Sequence, residues 1–220
     1  VARIMKQQEV NGFKFDLQSA LLLLAELREK KQAIEDEVHN TFKPKWVDDK
    51  LVKPYIKKDG DLSKRGLTDD EYKRCIDTNN FEPFMRQTLQ VFNLGSRKQI
   101  GEYLIDFGWK PERFTPTGQP IVDEKTLSAI THIHEAKLIA DFLLLQKRIA
   151  QVDSWVEGVQ EDGRVHGFVI PNGAITGRMT HRNPNMAQVP AVYSPYGKEC
   201  RACWTVEEGN VLIGVDASGL

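Results

Sequence analysis

The chain has 220 residues, a net charge of −1 and 28% charged side chains, enough for one or two ordinary domains with their own cores. That balance excludes bulk charge as a source of nucleic-acid affinity, so any such surface must come from a local cluster of Lys and Arg. No apolar run approaches the roughly 20 residues that span a bilayer, and no leader-like segment is visible.

The three cysteines, an odd number, fit a reducing compartment. Val1 at one end and Gly219-Leu220 at the other read as the edges of an internal stretch of a longer protein. Residues 1–9 suit the end of a helix, and Val10-Asn11-Gly12 turns the chain. Asp16 is placed to cap a long helix over residues 17–40, with Leu17, Leu21, Leu24, Leu27, Ile34 and Val38 on one face.

Between residues 43 and 65 the helical pattern breaks. Eight Lys and Arg stand against four Asp, with Trp46 and Tyr55 interleaved. This reads either as a mobile surface loop or as a flexible basic arm that touches phosphates or docks a partner through Trp46 and Tyr55. Thr68 caps a short helix over residues 67–79, and residues 80–91 fit neither period. Ser96 then caps a helix that runs to Phe107 and ends at Gly108. With Arg97 and Lys98 beside it, that helix start is either an ordinary cap or a phosphate site.

Residues 110–122 hold three prolines and form a linker. Asp123 opens a second long helix to about Val152, with Leu127, Ile130, Leu138, Phe142, Leu145, Ile149 and Val152 as its stripe. Two such helices bury their stripes best against each other, antiparallel. Lys147 and Arg148 near its end are end charges or DNA contacts. Residues 164–170 read as one strand. The following stretch, 174–190, is poor in core residues and rich in Thr, Asn, Gln and Arg.

Residues 211–215 are an apolar run that reads as a buried strand. Asp216, followed by Ala217, Ser218 and Gly219, is either a helix cap or a lone carboxylate suited to metal or phosphate chemistry. Cys200 and Cys203 have C-x-x-C spacing without a second ligand pair, and His132 and His134, two residues apart on a helix, point different ways and are poor co-ligands.

Taken in order, Thr176-Gly177-Arg178, then Asn183-Pro184-Asn185-Met186-Ala187-Gln188-Val189-Pro190, then Asp216-Ala217-Ser218-Gly219-Leu220 resemble the family A DNA polymerases. Ser194-Pro195-Tyr196-Gly197, Asp162-Gly163-Arg164-Val165-His166-Gly167 and Gln146-Lys147-Arg148-Ile149 resemble the bacteriophage T7-like branch. The resemblance implies an α+β chain: a lead-in over residues 1–16, a helical thumb over 17–152 with a basic insertion at about 43–91, and the first part of an antiparallel palm over 153–220.

It also implies template-directed DNA synthesis by a two-metal mechanism, in a phage or viral setting in the host cytoplasm. Asp216 would be one of two palm carboxylates holding a pair of Mg²⁺ ions, and the carbonyl of Ala217 would complete one ion's shell. Arg178 would check pairing geometry in the minor groove, where every correct pair offers similarly placed acceptors. Thr176, Asn185 and Gln188 would add neutral contacts, and Ser96, Arg97, Lys98, Lys147 and Arg148 would grip duplex phosphates. The partners would be primer-template DNA, deoxynucleoside triphosphates and, through the insertion, a processivity factor such as thioredoxin. The fingers and second carboxylate would lie outside this chain, so the piece alone is expected not to polymerise. The alternatives are a single-subunit phage-type RNA polymerase and a non-catalytic DNA-binding or processivity module.

Overall fold

A computed structural model describes residues 1–215. Its frame is a pair of long helices. Asp16 accepts the Ser19 N–H at 3.0 Å and starts α2 (Leu17–Thr41) after α1 (Ala2–Asn11). Three cross-links show that α2 runs antiparallel to α6 (His134–Glu157). Arg28 Nη2 bonds Asp153 at 2.7 Å, Lys31 Nζ lies 5.0 Å from the Phe142 ring centre, and Glu37 faces His134 at 3.9 Å.

The pair carries a core at each end. Toward the C-terminus of α2, Val38, Phe42 and Phe92 pack with Ile100, Leu104, Leu127, Ile139 and Phe142. Toward its N-terminus, Phe15, Leu24 and Leu27 pack with Leu145, Val152, Trp155, Val165, Cys200 and Cys203. The buried face of α2 is rotated from the expected one: Ala20 and Leu23 are buried, while Leu17 and Leu21 are exposed. Four consecutive leucines, residues 21–24, satisfy either phase of the period, and packing against α6 chooses between them.

The second long helix is broken. Asp123 accepts the Thr126 N–H at 2.7 Å and starts α5 (Glu124–Ala129), which ends before Ile130; α6 begins only at His134 and runs past Val152 to Glu157. Ile130 and Ile133 flank the break and both are buried. The Ile130-Thr131-His132-Ile133 run is weakly helical, and leaving the helix lets both isoleucines turn into one core. His132 therefore lies in the break and His134 opens α6. Ser96 Oγ accepts the Gln99 N–H and caps α4 (Arg97–Asp106), with Gly108 at φ 95° just beyond.

The first part of the basic segment is one strand of a ribbon, and residues 53–65 continue outside any strand or helix. β2 (Lys45–Val52) pairs antiparallel with β3 (Phe84–Gln90), setting Trp46 opposite Leu89 and Leu51 opposite Met85. All four of these side chains are exposed, whereas Val52, Leu62 and Cys75 are buried. Between the strands, α3 (Asp69–Thr78) opens on a full capping box: Thr68 Oγ1 accepts the Glu71 N–H and Glu71 accepts the Thr68 N–H.

Glu71 also receives the Arg86 guanidinium through both Nε, at 2.7 Å, and Nη2, which ties α3 to β3. The Arg86 hydrogen bonds hold the Glu71 carboxyl well below its ordinary 4.5, at about 2. Because the folded value is depressed, the stability this pair contributes is complete above pH 4.5 and is lost as pH falls toward 2. In acid unfolding followed by circular dichroism, Glu71→Gln is expected to be less stable than wild type at pH 7, with the gap closing toward pH 2.

At the other end, β1 (Phe13–Lys14) pairs antiparallel with β4 (Arg164–Val165), and β5 (Phe168–Ile170) with β6 (Thr180–Arg182); α7 (Gly197–Ala202) follows. The single strand expected over residues 164–170 is thus two strands in two ribbons. The chain is redirected at His166, whose Nδ1 lies 2.7 Å from the Glu9 carbonyl oxygen and whose Nε2 lies 3.0 Å from Asp162.

Residues 211–215 form no strand, and Val211, Leu212, Ile213 and Val215 are exposed. A strand needs ladder partners, and no described strand pairs with these residues. The architecture is α+β, a helical part joined to small antiparallel ribbons. Among the described residues no helix is long and apolar enough to cross a membrane.

Candidate nucleic-acid interface

The polar stretch 183–196 lies along the C-terminal half of α6 and is held there by side chains donating to its backbone. Trp155 Nε1 donates to the Asn185 carbonyl at 3.1 Å, and Gln151 Nε2 donates to that of Gln188 at 2.5 Å. Arg148 donates through Nε to the Pro195 carbonyl at 3.2 Å and through Nη2 to Ser194 Oγ at 3.3 Å. From α7, Arg201 Nε donates to the Pro190 carbonyl at 2.7 Å. Arg148, Gln151 and Trp155 stand at i, i+3 and i+7, so one helix face presents all three.

The loop returns to α7 by a close approach at Gly197, where a Cβ would sit 1.9 Å from the Ala191 carbonyl oxygen. Tyr196 at φ 60° delivers the chain into that helix. Within the loop, Asn185 Oδ1 accepts the Ala187 N–H at 3.0 Å.

This arrangement brings several of the expected residues together. A groove of about 560 Å³ is lined by Lys147, Arg148, Gln151, Asn185, Gln188 and Ser194. Lys147 also lines an adjoining groove of about 470 Å³ that reaches Arg97 and Asp123. Exposed Arg97, Lys147 and Gln188 therefore line these adjoining grooves along α6.

The residues differ in how free they are. Lys147 is exposed, but Arg148 is buried. Ser96 Oγ is occupied as a cap, Arg97 Nη1 donates to the Val122 carbonyl at 2.9 Å, and Lys98 lies 3.8 Å from Glu102.

Thr176 and Arg178 line neither groove. They sit in the exposed connection between β5 and β6, on a turn in which Gly177 at φ 76° donates to the Ala174 carbonyl and Ala174 N–H donates back to that of Arg178. Gly177 supplies the left-handed conformation this turn needs. Arg182 packs its guanidinium 4.8 Å from the Phe168 ring centre. Trp46, on β2, and Tyr55, just after it, are exposed and line neither groove. Asp216 and Ala217, the expected catalytic and metal residues, lie outside the described residues.

The C-x-x-C pair is packing. Cys200 and Cys203 are buried in the core, burial pushes both thiols up, Cys203 to about 11, and Cys203 Sγ donates to the Glu199 carbonyl. Sequence reasoning missed Gln151, Trp155 and Arg201 as the supports of the loop. The helical spacing of Gln151 and Trp155 behind Lys147 was the available signal for those two; Arg201, on α7, carried none.

The family model for DNA polymerase family A matches residues 69–220. Over its whole length the chain is 34% identical to proteins named DNA-directed DNA polymerase from Enterobacteria phage T3 and from Escherichia phage T7, and it spans 37% of the length of each. A DNA polymerase I from Pseudomonas aeruginosa is 30% identical over 59% of the chain and 15% of its own length. The fold resembles the polymerase domain of Pol1 from M. smegmatis, solved with DNA primer-template and dNTP, with a TM-score of 0.66 and 19% identity over 95% of this chain and 29% of that one. A match to the family over residues 69–220, joined to full-length similarity to two phage enzymes, means that the chain belongs to DNA polymerase family A.

Proposed function

We propose that the polypeptide carrying this chain copies a DNA template from deoxynucleoside triphosphates, and that residues 1–220 supply its duplex-gripping thumb and the first carboxylate of its palm. The observation that carries this reading is the ordered set of Thr176-Gly177-Arg178, residues 183–190 and Asp216 in a chain similar along its full length to phage DNA polymerases. Lys147, Arg97 and Lys98 neutralise phosphates along α6 and α4. Gln188 and Asn185, held against α6, face the duplex with neutral groups. Exposed Arg178, with Thr176 on the same turn, reads pairing geometry from the minor groove. Asp216 and the Ala217 carbonyl would hold Mg²⁺, which when bound supplies charge stabilisation at the reacting phosphate. Hard oxygen donors of this kind suit that ion.

The test is primer extension by the complete polypeptide, with deoxynucleotides and ribonucleotides supplied separately. Extension with deoxynucleotides alone is the expected result. A preference for ribonucleotides would support the RNA polymerase reading, and duplex binding without extension a DNA-binding module. Residues 1–220 by themselves are expected to extend nothing.

The insertion forms a partner surface in this reading. The pairs Trp46–Leu89 and Leu51–Met85 put four exposed apolar side chains on one ribbon, more than a ribbon facing only water requires. Deleting residues 43–65 would also remove β2, so point changes are the cleaner probe. Trp46→Ser with Leu89→Ser is expected to abolish any lengthening of products by added thioredoxin while leaving single-nucleotide incorporation unchanged. Lengthening that persists at the wild-type level would remove this surface from consideration.

A further inference from the structure

Among the described residues Arg148 is the only charged residue that is buried. Its place in the sequence, beside Lys147 near the end of a thumb helix, suggests a phosphate contact, yet its donors point at protein. Nε reaches the Pro195 carbonyl, Nη2 reaches Ser194 Oγ and Nη1 reaches Gln151 Oε1 at 3.4 Å. A buried cation is tolerated only where hydrogen bonds compensate its lost hydration, and here three such bonds come from one loop and one neighbouring side chain.

The bond to Gln151 has a directional consequence. Guanidinium has donors only, so it must face the amide oxygen of Gln151. That turns the amide nitrogen outward, onto the Gln188 carbonyl at 2.5 Å. Were the amide reversed, an N–H would meet a guanidinium and an oxygen would meet a carbonyl. Arg148 therefore sets the sense of the Gln151 amide, and Gln151 in turn sets the height of the Gln188 backbone over α6.

Resting on the polymerase reading above, we infer that Arg148 is a positioning residue for polymerisation: it fixes the backbone of residues 188–195 through Gln151, Ser194 and Pro195, and so aims Gln188 into the groove, while the phosphate contact belongs to Lys147. Lysine cannot replace it, since one ammonium cannot reproduce the planar fork that meets three acceptors at once.

The test uses the complete polypeptide and two readouts. The first, hydrogen exchange of amides 187–195 in the free protein, needs no DNA. Arg148→Lys and Gln151→Leu are each expected to raise exchange there several-fold and to leave α2 unchanged. The second is duplex affinity against salt, with extension kinetics. Lys147→Gln is expected to lower the slope of log affinity on log salt by about 0.9, the value of one lost phosphate contact. Arg148→Lys and Gln151→Leu are expected to keep the slope and KM for DNA but lower kcat about ten-fold or more, as a small misplacement does. The double variant should be no worse than the poorer single.

Unchanged exchange over 187–195 in Arg148→Lys would overturn the inference, as would wild-type kcat in that variant or multiplicative losses in the double. An Arg148→Gln slope reduced as far as that of Lys147→Gln would return Arg148 to the phosphates. A wild-type protein that shows no salt-dependent duplex binding would instead overturn the polymerase reading, with the exchange result still standing or falling separately.

Discussion

Asp216→Asn in the complete polypeptide is expected to lower deoxynucleotide incorporation by about a thousand-fold or more, with duplex affinity nearly unchanged. Asn keeps the shape and one oxygen of the side chain but removes the charge that a divalent cation requires. The ion's charge stabilisation of the transferring phosphate amounts to several kcal/mol, and each 1.4 kcal/mol or so is ten-fold in rate. In the proposed reading the duplex is gripped elsewhere, by Lys147, Arg97 and Lys98, so binding and chemistry should separate cleanly in the mutant. The competing reading of Asp216, a cap in front of Ala217-Ser218-Gly219, predicts the opposite: Asn is as good a cap as Asp, and activity would survive. A loss confined to affinity would also speak against a metal ligand. The comparison of Asp216→Asn with wild type under Mg²⁺, at saturating and at sub-saturating DNA, distinguishes all three.

Much of the fold follows from local chemistry and was legible for that reason. The caps at Asp16, Thr68, Ser96 and Asp123 depend on a side-chain oxygen and an N–H three residues on, and all four form. The antiparallel helix pair follows from two apolar stripes with nowhere else to go. What escaped depends on distant parts of the chain. The phase of the leucine run at 21–24 is decided by α6. The break at residues 130–133 is decided by a core that takes both Ile130 and Ile133. The ribbon at 45–52 needed β3, whose residues 84–90 match no simple period. At 211–215 the composition suits a strand, but a strand is a property of a pair, and no described strand lies beside it.

The candidate interface divides the same way. Residues 183–190 announce themselves by composition, since a connecting loop has little use for so many donors. The side chains that hold the loop do not, because Gln151 and Trp155 look like ordinary members of an amphipathic helix until the backbone they bond is in place. Arg148 reads from sequence as a surface cation and is instead buried in the packing.

Trp155 is where fold and interface meet, and Trp155→Ala is expected to cost about 3–5 kcal/mol, the usual range for emptying a large aromatic site in a core. Its ring is fully buried, 6.4 Å from the ring centre of Phe15 and 5.3 Å from that of Trp204. It thus joins α6 to the segment ahead of α2 and to the segment after α7. Its indole N–H is the support of the Asn185 carbonyl. Trp155→Phe separates these roles: the ring largely remains, the donor is lost, and the cost should fall to about 1–3 kcal/mol from the unpaired carbonyl. Urea unfolding measures both, as a shift of midpoint at constant slope. If Trp155→Ala moved stability by less than about 1 kcal/mol, the aromatic cluster would not be the junction described here. If Trp155→Phe cost as much as Trp155→Ala, the hydrogen bond to the loop would outweigh the ring itself. The expected order, a large loss for Ala and a small one for Phe, with the Phe variant also impaired in extension, would mean that the helix holding the core together is the same element that holds residues 183–190 against the groove.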